Sequence, residues 1–210
     1  MSPQYPVNQY PVSLTVEGRP CLVVGGGAIA HRKVEGLLAA GAEVTVIAPE
    51  VDPELAALPV ALERRPYRPG DASGFRLVIA ATEDPDVNAD VAADADAAGV
   101  WVNAADDLAR SSFTLPSVAR RGPIVVAVST GGQSPAFAAW LRRRIEADLG
   151  GEYEVLLRLL SEARDTIKAT GRSTEGVDWP SVLDSNMLEL IRAGDIGKAR
   201  ERLEACLSSS

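Results

Sequence analysis

Apolar and polar positions follow two different rhythms along this chain. In its first half, short apolar runs at Arg19–Val24, Glu43–Ala48, Leu77–Ala81 and Val100–Asn103 are separated by stretches of helical spacing. Unbroken runs of this length suit strands buried on both faces of a parallel sheet, and their alternation with helices predicts βαβ units. The helices expected are Ala28–Ala40, closed by Gly41, then Pro53–Leu58, then a segment opened by Pro85 and closed by Gly99. Proline near the first turn and glycine just past the end are the usual boundary signals. Val60–Arg65 reads as a further strand, and Val12–Val16 as a short edge strand behind a proline-containing lead-in.

From Ser111 the rhythm changes. Phe113–Val118 and Ile124–Val128 read as two hairpin strands joined by Ala119–Pro123, after which Ser134 and Pro135 cap and open a helix to Leu149. The remainder is helical. Val155, Leu156, Leu159, Leu160, Ala163 and Ile167 carry one face of a helix over Glu152–Thr170, and two short helices follow at Ser181–Ala193 and Asp195–Leu207. The pattern predicts an α/β domain over residues 1–111, a small α+β region over 112–150 and a helical C-terminal domain over 151–210.

Composition narrows the function classes. Among 210 residues, 46% apolar and 24% charged is ordinary globular usage, and the net charge of −8 argues against nucleic-acid binding. An anionic ligand would need locally clustered cations. The two cysteines, Cys21 and Cys206, make no disulfide framework and point to a reducing, cytoplasmic setting. No signal-peptide pattern opens the chain and no apolar run reaches membrane-spanning length, so no membrane partner is expected.

Candidate chemistry starts at Cys21-Leu-Val-Val-Gly25-Gly26-Gly27-Ala28-Ile29-Ala30, where a strand runs through glycines into a helix. Gly25, Gly27 and Ala30 fill the G-x-G-x-x-G/A pattern of a Rossmann-like dinucleotide loop, in which a pyrophosphate meets the N–H groups of a helix start. A glycine-rich turn without a ligand is the bland alternative. About 20 residues beyond such glycines an acidic residue normally holds the ribose. Here the strand ends Ile47-Ala48-Pro49-Glu50, and Glu50 either reaches the ribose or is a solvated loop carboxylate. No arginine stands in that turn to grip a 2′-phosphate, which favours NAD over NADP. Ala81, Thr82 and Asn88 lie beyond another strand end, as cofactor neighbours or as helix-capping residues. Asp106 and Asp107 end the fifth strand, where chemistry or a plain surface turn are both consistent with the pair.

Five motifs then stand in one order: Val24-Gly-Gly-Gly27 with Arg32-Lys33; Leu77-Val-Ile-Ala-Ala-Thr82 with Asn88; Val102-Asn103-x-x-Asp106; Ser112-Phe113-x-x-Pro116; and Ser129-Thr130-Gly131-Gly-Gln-Ser134-Pro135. Together they resemble the precorrin-2 dehydrogenase / sirohydrochlorin ferrochelatase family, including the dehydrogenase half of sirohaem synthase. The resemblance covers roughly Val12 to Leu149. It implies NAD-dependent oxidation of the tetrapyrrole precorrin-2 to sirohydrochlorin, sometimes joined to ferrous iron insertion, in a homodimer whose central region, 112–150, makes the dimer.

Carried over by position, Asp106 matches the family's key acidic residue, also the metal candidate if iron is inserted. Gly25, Gly26, Gly27, Ala28, Ile29, Ala30, Pro49, Glu50, Ala81 and Thr82 are then cofactor candidates. Asn103, Arg110, Ser129, Thr130, Gly131 and Ser134 are substrate candidates. His31, the sole histidine, follows the phosphate loop, which disfavours a histidine base and leaves a carboxylate for proton transfer. Arg110, Arg120, Arg121 and Arg142–Arg144 are the counter-charges for a polycarboxylate substrate. The competing class is an NAD-binding redox sensor that keeps the fold without catalysis, for which Asp106 has no use.

Overall fold

The structure is a computed structural model and describes residues 9–105 and 107–208. Two compact units divide at Leu115 and Pro116.

In the first unit, strands β1 (Pro20–Val24), β2 (Glu43–Ile47), β3 (Ala61–Glu63), β4 (Leu77–Ala80) and β5 (Trp101–Ala104) form a parallel sheet of order β3-β2-β1-β4-β5. Helices α1 (Ala28–Leu38), α2 (Pro53–Ala56) and α3 (Pro85–Ala97) make the crossovers. The fold is Rossmann-like, and the reason lies in β1. Successive side chains of a strand leave on opposite faces. Cys21 and Val23 therefore pack with Ala30, Val34 and Leu37 of α1, while Leu22 and Val24 pack with Val91, Ala92 and Ala95 of α3. Each large side chain buried this way contributes roughly 1.5–3 kcal/mol. A strand apolar at every position thereby carries two cores at once.

Two predicted strands differ. Val12–Val16 is not a strand, because the exposed edge of β5 is already taken: Ser112 donates its amide to the Val102 carbonyl at 2.8 Å, and Phe113 follows along the same edge. Instead, Val16 turns inward as a buried core residue. Phe113 is likewise held at β5, its carbonyl accepting from Asn103 Nδ2, residues 113–116 lie outside the hairpin, and Pro116 has no N–H to start a ladder earlier.

The second unit opens with the antiparallel pair β6 (Ser117–Arg121) and β7 (Ile124–Val128). Arg121 pairs with Ile124, so the turn is the two residues Gly122-Pro123 and not the five-residue connection expected. Gly122 has φ +51 and proline holds φ negative, the sign order of a type II′ hairpin turn. Helices α4 (Pro135–Asp148) and α5 (Gly151–Ala169) follow as predicted to within a residue. The expected helix over 181–193 is broken into α6 (Trp179–Leu183) and α7 (Met187–Arg192), followed by α8 (Ile196–Ser208). The break is at Asn186, which takes the left-handed conformation at φ 66 that asparagine tolerates. Leu156 and Leu159 of α5 share a core with Val182, Met187, Ile191, Ala199 and Leu203. Met187, at the start of α7, is completely buried in it, so the break serves packing.

Candidate functional site

The glycine loop owes its shape to three different demands. Gly25 continues β1 by donating to the Ile47 carbonyl at 3.0 Å, then turns at φ +126. A Cβ there would lie 2.3 Å from the Ala81 carbonyl oxygen. Gly26 sits under the loop after β2, where a Cβ would fall 1.9 Å from the Glu50 carbonyl oxygen, and its own carbonyl accepts from Asp52 N–H at 2.9 Å. Gly27 meets nothing within 4 Å on its open side. It is the N-cap of α1 and supplies no side chain to the helix's first N–H groups. Ala30, one turn in, is fully buried against the sheet.

These features pass the test for a dinucleotide. The residues that crowd one another are glycine, the one facing outward is unencumbered, and the unpartnered amides of a helix start are what an anionic pyrophosphate needs. Gly27, Ala28 and Ile29 are exposed beside it. The role of Gly26 escapes the sequence pattern, which treats that position as variable. Only the neighbouring loop makes it obligatory.

Around this loop the strand ends are braced from behind. Ala48 is buried and donates to the Glu63 carbonyl at 3.1 Å, while Pro49 and Glu50 stand exposed. His31 lies 3.9 Å from both Glu35 and Glu54, on the α1 surface that faces α2. After β4, Asn88 is buried and reads both ends of one residue: its Oδ1 accepts from Thr82 N–H at 3.0 Å, and its Nδ2 donates to the Thr82 carbonyl at 3.0 Å. Asp84 caps α3 by accepting from Asp86 N–H at 2.9 Å. Asn88 thus holds the turn carrying Ala81 and Thr82 against Gly25. Replacing it with alanine leaves the Thr82 amide without its partner and is expected to lower stability by about 1–3 kcal/mol, read as a fall in urea midpoint.

Beyond β5 the chain is laced to its own strand by serine hydroxyls. Ser112 Oγ accepts from Val102 N–H at 2.7 Å, Ser111 Oγ from Ala104 N–H at 3.0 Å, and Asn103 Nδ2 donates to the Phe113 carbonyl at 3.1 Å. Asp107 accepts from the Ala109 and Arg110 amides at 3.0 and 3.1 Å and from Arg110 Nη1 at 2.6 Å. Those bonds, led by the guanidinium, hold its carboxyl below the usual carboxylate range. Arg110 is therefore occupied by Asp107. Asp106, the expected key acid, lies outside the described residues.

The Ser129–Pro135 turn belongs to the second unit. Gly131 and Gly132 both take left-handed φ, +60 and +81, which only glycine adopts freely in succession. Thr130 Oγ1 accepts from Ser134 N–H at 3.1 Å, and Ser134 Oγ caps α4 through Phe137 N–H at 3.2 Å. Of the expected counter-charges, Arg121 donates to the Leu149 carbonyl at 3.0 Å, Arg142 pairs with Glu146, and Arg144 lies over the Trp140 ring at 5.2 Å. Arg120 and Arg143 stand exposed. Among the described residues no group of three or more His, Cys, Asp or Glu is placed to hold a metal, and no helix is long and apolar enough to cross a membrane.

The family model described as "Putative NAD(P)-binding" matches residues 12–117, half of the chain, and spans the whole sheet and the glycine loop. The chain belongs to this NAD(P)-binding family. Its first unit is accordingly a domain for a nicotinamide dinucleotide, the group that the loop geometry fits. A second model, for the central part of sirohaem biosynthesis proteins, matches residues 121–148. Relatives of this NAD(P)-binding chain include the siroheme synthases of Chromobacterium violaceum, 40% identical over 201 residues, and Tolumonas auensis, 48% identical over 160. The matches cover 93% and 75% of this chain but 43% and 34% of those proteins, so it spans less than half the length of the relatives it matches. The solved structure of SirC, a precorrin-2 dehydrogenase, superposes with a TM-score of 0.70 at 27% identity, covering 95% of this chain and 100% of that one.

Proposed function

We propose that this chain oxidises precorrin-2 to sirohydrochlorin with NAD+ as hydride acceptor. The observation that carries the reading is the end-to-end likeness to SirC, a precorrin-2 dehydrogenase of matching extent, in both units and not in the sheet alone. The nicotinamide, when bound, supplies the acceptor for two electrons and one hydrogen leaving the macrocycle as hydride. A second hydrogen leaves as a proton, and the chain must provide for it.

In this reading Gly25–Ala30 hold the pyrophosphate, Pro49 and Glu50 border the adenosine ribose, and Ala81 and Thr82 line the cofactor from the neighbouring strand end. Glu50, Asp52 and Glu54 follow β2 and are exposed; negative charge after this strand disfavours a 2′-phosphate and supports NAD over NADP. Asp107 is committed to Arg110. The proton is therefore assigned to its neighbour Asp106, with Asn103 bracing the loop that carries it. Ser129, Thr130, Gly131 and Ser134 meet the substrate carboxylates in the same assignment, and Arg110 would do so only by exchanging its Asp107 partner for a substrate carboxylate.

The chain acts as a homodimer through residues 112–150. A two-stranded sheet is marginal alone, and here Val125, Phe137 and Trp140 are each about half exposed around it, at 48%, 52% and 45%. Neither Cys21 nor Cys206 is held in a disulfide, which supports a reducing cytoplasm, and burial pushes the Cys21 thiol up.

The deciding experiment mixes purified protein with NAD+ and enzymatically generated precorrin-2. NADH should appear together with the sirohydrochlorin spectrum. Intact NAD binding without turnover would establish the sensor reading instead. Ferrous iron added to preformed sirohydrochlorin, with and without protein, tests iron insertion in the same samples.

A further inference from the structure

At the opposite end of the strands from the glycine loop, the starts of β1, β4 and β5 and the segment 14–16 enclose an open cleft of about 710 Å3. Leu14, Arg19, Phe75, Arg76 and Trp101 line it. Register places them side by side. Cys21 pairs with Leu77 and Leu77 with Trp101, so Arg76 precedes the middle strand, with Arg19 on one flank and Trp101 on the other. The Arg76 amide is pinned to the Pro20 carbonyl at 2.9 Å.

Three properties of this cleft go together. Trp101 is 46% exposed, although the other three residues of its strand are buried. Leu14 beside it is 48% exposed. Arg19 and Arg76 are exposed, and neither guanidinium has a carboxylate partner among the described residues. In a chain of net charge −8, the residues lining this cleft include two guanidiniums and no carboxylate, which favours an anion there.

We infer that the cleft is a second ligand site, remote from the dinucleotide loop, which takes a planar anion carrying two or more carboxylates. Guanidinium forks grip carboxylates in a bidentate manner, and an open indole offers a flat face for a ring. The volume lies within the roughly 300–1,000 Å3 of small-molecule sites. An extended acidic peptide fits less well, because it docks by pairing with a free sheet edge, and this cleft presents strand starts. The strands separate the two sites by about 15 Å, so both can be filled together.

The test titrates the full chain with benzenehexacarboxylate at saturating NAD+, followed by tryptophan fluorescence. A saturable change is expected, absent in Trp101→Phe. In Arg19→Ser/Arg76→Ser the affinity should weaken at least about tenfold, with NAD+ affinity unchanged. Equal binding to the double variant, displacement by NAD+, or an undiminished signal in Trp101→Phe would overturn the assignment. So would tighter binding of hexaglutamate than of the ring. Should the double variant melt early, Arg76→Lys keeps the charge without the fork: several-fold weaker binding is expected, and unchanged binding overturns the site.

Discussion

Replacing Gly25 by alanine is expected to abolish dinucleotide binding and to lower stability by about 2–5 kcal/mol, through about 1–2 from a left-handed backbone and about 1–3 from overpacking. Both causes are on the same atom. At φ +126 an L side chain is strained, and its Cβ would stand 2.3 Å from the Ala81 carbonyl oxygen. No rotamer relieves a clash between a Cβ and backbone, so either β1 or the turn after β4 must move. Moving that turn also breaks the hold of Asn88 on Thr82. Gly27→Ala provides the contrast, because nothing lies within 4 Å of its Cβ and its φ of −92 suits any residue. Its melting temperature should stay near the parent's, while the new methyl intrudes on the pyrophosphate and weakens NAD+ binding measured by calorimetry. Equal melting of the Gly25 variant and the parent would contradict this account of the loop.

The second large effect concerns Asp106. If its carboxylate takes the proton, Asp106→Ala should slow precorrin-2 oxidation by about 10²–10⁴, the usual range for a positioned acid or base. Affinity for NAD+ should change by less than about twofold, since the proposed assignment gives the pyrophosphate to backbone amides at α1. Steady-state rates and a separate NAD+ titration divide the two. Asp107→Ala is the internal control. It removes the Arg110 ion pair and the acceptor for two amides, so it should loosen the 107–112 turn and cost less than loss of the base. Wild-type turnover in Asp106→Ala would remove that carboxylate from the mechanism.

Much of the framework was legible because it is periodic. Runs such as Leu77–Ala81 can only be buried on two faces, and the glycines between β1 and α1 announce a helix start open to an anion. The order of the motifs also pointed to the same family as the later comparisons. Where the reading departed from the structure, a residue's partner was distant in sequence. Val12–Val16 has strand character, but its edge had been taken by Ser111–Phe113, some 100 residues away. The helix over 181–193 has helical spacing throughout, yet burying Met187 against Leu156 and Leu159 required the break at Asn186.

The sequence by itself determined the parallel strands, the helices α1, α3, α4 and α5, their order, and the place of the glycine turn between β1 and α1, since each depends on neighbours within a few residues along the chain. Tertiary structure alone decided that Gly26 must be glycine, that Asn88 braces the turn at Thr82, and that Asp107 holds Arg110. It also decided that Arg19, Arg76 and Trp101 share one cleft. Most of these are contacts between strand ends and loops, set by sheet order and register, and no local periodicity encodes which strand lies beside which.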